Sequence, residues 1–202
     1  MKRKIRIPNL GGARAYLLHR PHATVQALER QLRAIGLEVV ACWPDLPAEA
    51  LSGDFVFFDA DQGYDAQFPW KPGEGPMPMI ALIGSEAPGR IEWSLEAGAH
   101  AQLLKPVGDG GAYSALLIAR MAFEARQSLS TEIADLRRRL DERQTVVRAV
   151  TLLAARGKSE AEAYDQLRQM AMAWRVSFEV AARRVVSSHD KQGDGNDRRD
   201  LG

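Results

Sequence analysis

Residues 54–61 read DFVFFDAD, in which Phe55, Val56, Phe57 and Phe58 form an unbroken apolar run between Asp54 and Asp59. A short apolar run without alternation suits a strand covered on both faces, the usual situation in a parallel sheet. Upstream, AYLLHRP (15–21) is a similar run stopped by proline. VQALERQLRAIG (25–36) then places Val25, Leu28, Leu32 and Ile35 at helical spacing before a terminating Gly36. EVVACWP (38–44) reads as a further strand, followed by a short Leu/Ala segment from Leu46 to Leu51. Downstream come MPMIALIG (77–84), a helical stretch from Arg90 to Ala97, and AQLLKP (101–106). Five strands alternating with helical stretches predict an α/β domain with a five-stranded parallel sheet and helices on both sides, its function lying at the carboxyl ends of the strands. The loop DQGYDAQFPWKPGEGPMP (61–78) is long for a compact domain, and Phe68 and Trp70 serve there either as a partner contact or as packing for the loop.

From Ala112 to Ala155 there is neither proline nor glycine, and one long helix is expected. Ile118, Ala122, Ala125, Leu129, Ile133, Leu136, Leu140, Val147 and Val150 follow one another mainly at three- and four-residue steps, which is a coiled-coil seam with a stutter between Ala125 and Ile133. Arg143 interrupts it. A solvated helix cannot hide such a stripe, so the spacing predicts pairing of two chains, a homodimer; the other reading folds the stripe back on its own domain.

Arg156–Gly157 is a helix stop, and Ser159-Glu-Ala-Glu162 opens the next helix as a capping box. Ala163, Leu167, Met170, Ala171 and Trp174 are expected on its inner side. A third helix begins near Ser177 and Glu179, with Phe178, Ala181, Ala182, Val185 and Val186 as its apolar residues. The end, HDKQGDGNDRRDLG (189–202), is polar and aperiodic and is expected to be a disordered tail. The organisation read from the chain is therefore 1–111, an α/β domain; 112–141, a pairing helix; 142–188, a small three-helix bundle; and 189–202, the tail.

Of the 202 residues 46% are hydrophobic and 26% charged, ordinary for a globular protein. The net charge of +1 hides a division: residues 1–127 carry 13 Lys+Arg against 14 Asp+Glu, whereas residues 136–189 carry 11 against 6. Only the distal part offers an electrostatic footprint for nucleic acid. The single cysteine, Cys42, excludes an internal disulfide and a cysteine-based zinc cluster, and suits a reducing compartment. No signal-peptide core or membrane span is present in the sequence, which predicts a cytoplasmic protein. His19 and His22 have no further His or Cys nearby, so no metal site is assigned and no cofactor is expected; the absence of a nucleophile–base pair or phosphate loop argues against an enzyme.

DFVFFD (54–59) resembles the third strand of response-regulator receiver domains, and GAHAQLLKP (98–106) resembles their fifth. The likeness implies a flavodoxin-like fold with Asp59 at the phosphoacceptor position and Lys105 at the position of the lysine before proline. It also implies a magnesium-binding acid pair where this chain has His19 and Arg20, and a switch hydroxyl where it has Ile83, with Ser85 two residues on. A hard cation is disfavoured beside an arginine, so the resemblance points to a degenerate receiver in which Asp59, Lys105 and Arg20 form a vestigial ion-pair cluster.

Arg143-x-x-Val-x-x-Ala149, Leu153, Ser-Glu-Ala-Glu-Ala-Tyr164-x-x-Leu167-x-x-x-Ala171, Arg175 and Ala181 together resemble the ANTAR domain. Receiver, long helix and ANTAR in this order resemble the AmiR and NasT type regulators, and RAIGLEVVACWP (33–44) looks most similar to the AmiR-like members. The resemblance implies binding of paired hairpins in a leader transcript, transcription antitermination, and control by a ligand-sensing negative regulator protein in place of a kinase. Arg143, Ala149, Tyr164 and Arg175 match the family pattern and are expected at the RNA. Charge and helical placement add Arg148, Arg156, Lys158 and Arg168. The lysine usual in the family's Ala-Lys-Gly stands here as Val150, a lost cation. That loss favours the alternative of a coiled-coil protein-interaction adaptor; a phosphorylation-dependent regulator is the other alternative, and DNA is not the expected target.

Overall fold

The computed structural model describes residues 9–155 and 157–196. The chain divides into two units, 1–128 and 129–202.

In the first unit five parallel strands, β1 (Arg14–Leu18), β2 (Glu38–Cys42), β3 (Phe55–Asp59), β4 (Met79–Ile83) and β5 (Ala101–Leu104), lie in the order β2-β1-β3-β4-β5. Every residue of β3 and β4 is buried, as their apolar runs require, while the edge strands β2 and β5 are only partly covered. Alternation divides the strands between two cores. Ala15, Leu17, Phe55, Phe57, Ile80 and Leu82 face α1 (Ala23–Ile35) and Ala112, Ala115, Leu116 and Ala119 at the start of α3 (Ala112–Ala154). On the opposite face Tyr16, Leu18, Val56, Phe58, Met79, Ala81 and Ile83 meet Leu46, Ala50, Phe68 and Met77, with Trp93 of α2 (Pro88–Glu96) packed against them.

Helix α1 ends as expected, at Gly36 in the left-handed region (φ 97°). The Leu/Ala segment folds as a 3-10 turn (Ala48–Ser52), so this face is covered partly by turns and loop. The 61–78 loop packs inward: Phe68 meets Phe58 edge-on at 5.4 Å and stacks on Trp70 at 5.8 Å. Packing is thus the role of these aromatics.

In α3 the face docked on the sheet excludes the apolar stripe. Ile118, Leu129, Ile133, Leu136, Leu140 and Val147 are 49–65% exposed, and Ala122 is exposed as well. Within the first unit, Ile118 and Ala122 stay off the core that α3 forms with the sheet.

The second unit packs Ala149, Val150 and Leu153 of α3 against Ala163, Leu167 and Ala171 of α4 (Glu160–Trp174) and Ala181, Ala182 and Val185 of α5 (Phe178–Asn196). Five of these nine core residues are alanines, which let the helices approach closely. The Ser159–Glu162 capping box forms in full. Two expectations are corrected. Trp174 is 41% exposed and lies outside the core, to which α4 contributes Ala163, Leu167 and Ala171. Helix α5 runs to Asn196, beyond the start of the expected tail at 189; propagation of a formed helix is cheap, and Arg148 Nη2 donates to Asp190 Oδ1 at 2.8 Å. Residues 197–202 lie outside the described residues.

Candidate functional site

Two places hold the residues singled out from the sequence. The first is a cleft of about 320 Å³ at the carboxyl ends of the strands, lined among others by His19, Arg20, Asp59, Asp61 and Lys105. Asp59, 1% exposed, ends β3. Its Oδ1 accepts from Lys105 Nζ at 2.7 Å and from the Asp61 backbone N–H at 3.0 Å. Its Oδ2 lies 3.3 Å from His19 Nε2. The Arg20 carbonyl can only accept, so His19 Nδ1, 2.6 Å away, carries a hydrogen.

Asp59 therefore has an ion pair with Lys105 and the His19 ring as its other neighbour, and His19 stands where pairing with Arg20 was expected. The reason is local. His19 continues the β1 ladder through its N–H to the Cys42 carbonyl at 3.2 Å and is buried, whereas Arg20, one residue on, is exposed at the mouth of the cleft.

Asp61 completes the cluster. It pairs with Lys105 and accepts from the backbone N–H groups of Gly84 (2.8 Å) and Ser85 (2.9 Å). A Cβ at Gly84 would sit 2.6 Å from Asp61 Oδ2, so glycine is what permits this cap. Partial burial pushes the Asp61 carboxyl up, but donation from Lys105 and the two N–H groups outweighs it and holds the group below its ordinary value. Ile83 is core, and Ser85 enters these contacts through its backbone.

The donor set does not fit a divalent cation. Lys105 is committed to both carboxylates, and a histidine and an arginine stand where further acids would be needed. Beside the cleft the Cys42 thiol is pushed up to about 11 by burial, which makes it a poor nucleophile.

The second place is a groove of about 480 Å³ in the helical unit, lined by Arg139, Glu142, Arg143, Val146, Val147, Tyr164, Phe178 and Glu179. Tyr164 is 48% exposed and its ring lies 4.9 Å from that of Phe178. Arg139 is held by Asp135 at 2.8 Å and Glu142 by Arg138 at 3.0 Å; Arg143 forms no ion pair among the described residues.

The other expected contacts scatter. Arg148 is tied to Asp190, and Lys158 Nζ donates to Gln166 Oε1 at 2.7 Å. Arg168 and Arg175 are exposed, and Arg175 is the C-cap of α4 with φ 52°. Arg156 lies outside the described residues. Ala149 is fully buried at the centre of the three helices, where its small side chain allows them to approach closely, and so is not an exposed contact residue. Val150, 7% exposed, belongs to the same core, so the missing lysine is a core substitution in this chain. Sequence reasoning missed Phe178 as a groove residue. It also missed the pairing of Trp174 with Arg184, whose guanidinium lies 5.6 Å from the indole centroid.

Fold and sites define two parts: a receiver-like α/β unit whose acidic centre is lined by His19 and Lys105, and a basic three-helix unit. The family model for the AmiR N-terminal domain matches residues 13–120 and that for the ANTAR domain matches residues 134–186. The chain belongs to the ANTAR regulators of the AmiR/NasT type, a transcription antitermination family. It is 30% identical over 112 residues to the transcriptional regulatory protein PdtaR of Mycobacterium tuberculosis in two strains, covering 55% of this chain and 55% of PdtaR. It thus spans about half the length of the curated relatives it matches. Among solved structures it is similar to the first receiver domain of ShkA in complex with c-di-GMP (21% identity, TM-score 0.41, 56% of this chain and 94% of that one). It is also similar to a CheY-like response regulator of Mesorhizobium loti (14% identity, TM-score 0.43, 54% and 98%). No helix among the described residues is long and apolar enough to cross a membrane.

Proposed function

We propose that this chain is a homodimeric antitermination regulator whose distal helices bind hairpins in a leader transcript, and that a partner protein docked on the receiver controls it. The observation that carries the RNA reading is the groove joining Arg143, without an ion pair among the described residues, to the exposed Tyr164 and the half-buried Phe178 beside it. Unstacked loop bases are read by aromatic faces and arginine planes, and phosphates by cations. The burial of Val150 removes the feature that favoured a protein-only adaptor.

Dimerisation is supported by the exposed seam. Six large apolar side chains from Ile118 to Val147 stand about half in water, and pairing two helices along them would bury the set. Control by a partner is supported by the cleft. Both oxygens of Asp59 already have neighbours, so a phosphoryl donor would have to displace His19 without a bound divalent ion to offset charge. Val40 and Trp43, exposed on and just after the edge strand β2, offer a partner an apolar foothold on this unit.

The test is titration of the full chain with the leader RNA of its own operon at two salt concentrations. Saturable binding that weakens with salt, and weakens further in Arg143→Gln and Tyr164→Ala, is expected. Tight binding to duplex DNA with none to the RNA overturns the reading.

A further inference from the structure

We infer that the corner between α4 and α5 carries a second RNA contact, a stacking platform for one unpaired base built from Trp174 and Arg184. This rests on the RNA reading above and assigns it a separate place on the helical unit. The indole is 41% exposed although its helical spacing directs it inward, and Arg184 lies over its ring at 5.6 Å. A tryptophan left in water with a guanidinium on one face keeps the rest of its π surface for a partner. A nucleobase is the partner that stacks on both indole and guanidinium.

The corner is rigid. Arg175 takes the left-handed conformation, and its N–H bonds to the carbonyls of Ala171 and Met172 while the Val176 N–H bonds to Ala171 O at 3.1 Å. An aromatic fixed to the last turn of a helix loses little freedom when a base lands on it.

Charge selects a polyanion over a protein surface. Residues 166–189 contain Arg168, Arg175, Arg183 and Arg184 against a single acid, Glu179. Among the described residues none of the four arginines forms an ion pair, and Glu179 lines the other groove. Trp174 follows Tyr164 by ten residues, about 15 Å along α4 at the helical rise, so the two aromatics can engage different nucleotides of one hairpin.

The test uses the full chain, the leader hairpin of the titration above, and the same stem closed as a blunt duplex. Trp174→Ala is expected to weaken hairpin binding about tenfold and leave duplex binding unchanged, while Trp174→Phe retains most of the affinity and reports that the fold is intact. Tryptophan emission should be quenched saturably by the hairpin in the unaltered protein and far less in Trp174→Phe. If Trp174→Ala binds the hairpin as the unaltered chain does, the platform is refuted and the RNA reading stands. If it loses hairpin and duplex alike, base stacking is refuted. If the unaltered chain binds no leader RNA, both fall together.

Discussion

Replacing Val150 by the lysine usual in the family separates two accounts of this position. If residue 150 faced RNA, Val150→Lys would add a phosphate contact, tighten binding and steepen its salt dependence. The structure places the side chain at 7% exposure among Ala149, Leu153, Ala163 and Leu167. Losing the buried valine costs about 1.5 kcal/mol. Forcing a longer chain into an alanine-spaced core adds about 1–3 kcal/mol, moderated where the lysine stem can run outward. A loss of roughly 2–4 kcal/mol is expected, which lowers the melting temperature of a unit this small by about 10 °C or more. Thermal melts followed by circular dichroism read the stability, and RNA titration at low temperature reads affinity on protein that is still folded. An unchanged melt together with tighter RNA binding would refute the placement of Val150 in the core.

Three other outcomes follow from the same structure. Leu136→Glu removes one seam leucine from each of two chains and sets like charges opposite each other, so light scattering should show the dimer dissociating at concentrations about a hundredfold or more above those for the unaltered protein; a monomer before substitution would end the dimer proposal. Acetyl phosphate with magnesium should leave Asp59 unmodified, and a stable acyl phosphate seen by mass spectrometry would contradict the closed geometry around it. Asp61 has a carboxyl held below its ordinary value, so its stabilisation is present above about pH 4 and is lost as pH falls through the folded-state value. Urea midpoints of the unaltered protein and Asp61→Asn should therefore differ at pH 7 and converge on acidification; a constant gap would mean that the Lys105, Gly84 and Ser85 contacts do not act through charge.

How much was legible depended on whether a residue's environment is set by its neighbours in sequence or by segments far away. The apolar runs at Phe55–Phe58 and Met79–Ile83 announce doubly covered strands, Gly36 and the Ser159–Glu162 box mark helix ends, and the stripe from Ile118 to Val147 declares a face that one chain leaves in water. Each follows from a local period or a hydrogen bond spanning a few residues. Motif spacing added the family and brought Asp59 and Lys105 together across 46 residues. Tertiary packing alone decided the rest. His19 reaches Asp59 where Arg20 was expected, because the β1 ladder extends one residue and leaves the next outside. Ala149 and Val150 turn inward and Trp174 stays outward, because the contacts of α4 and α5 with α3, made between segments apart in sequence, set which side chains the core takes in. A one-dimensional pattern states which residues share a face; the space left by the facing helices determines which of them fit inside it.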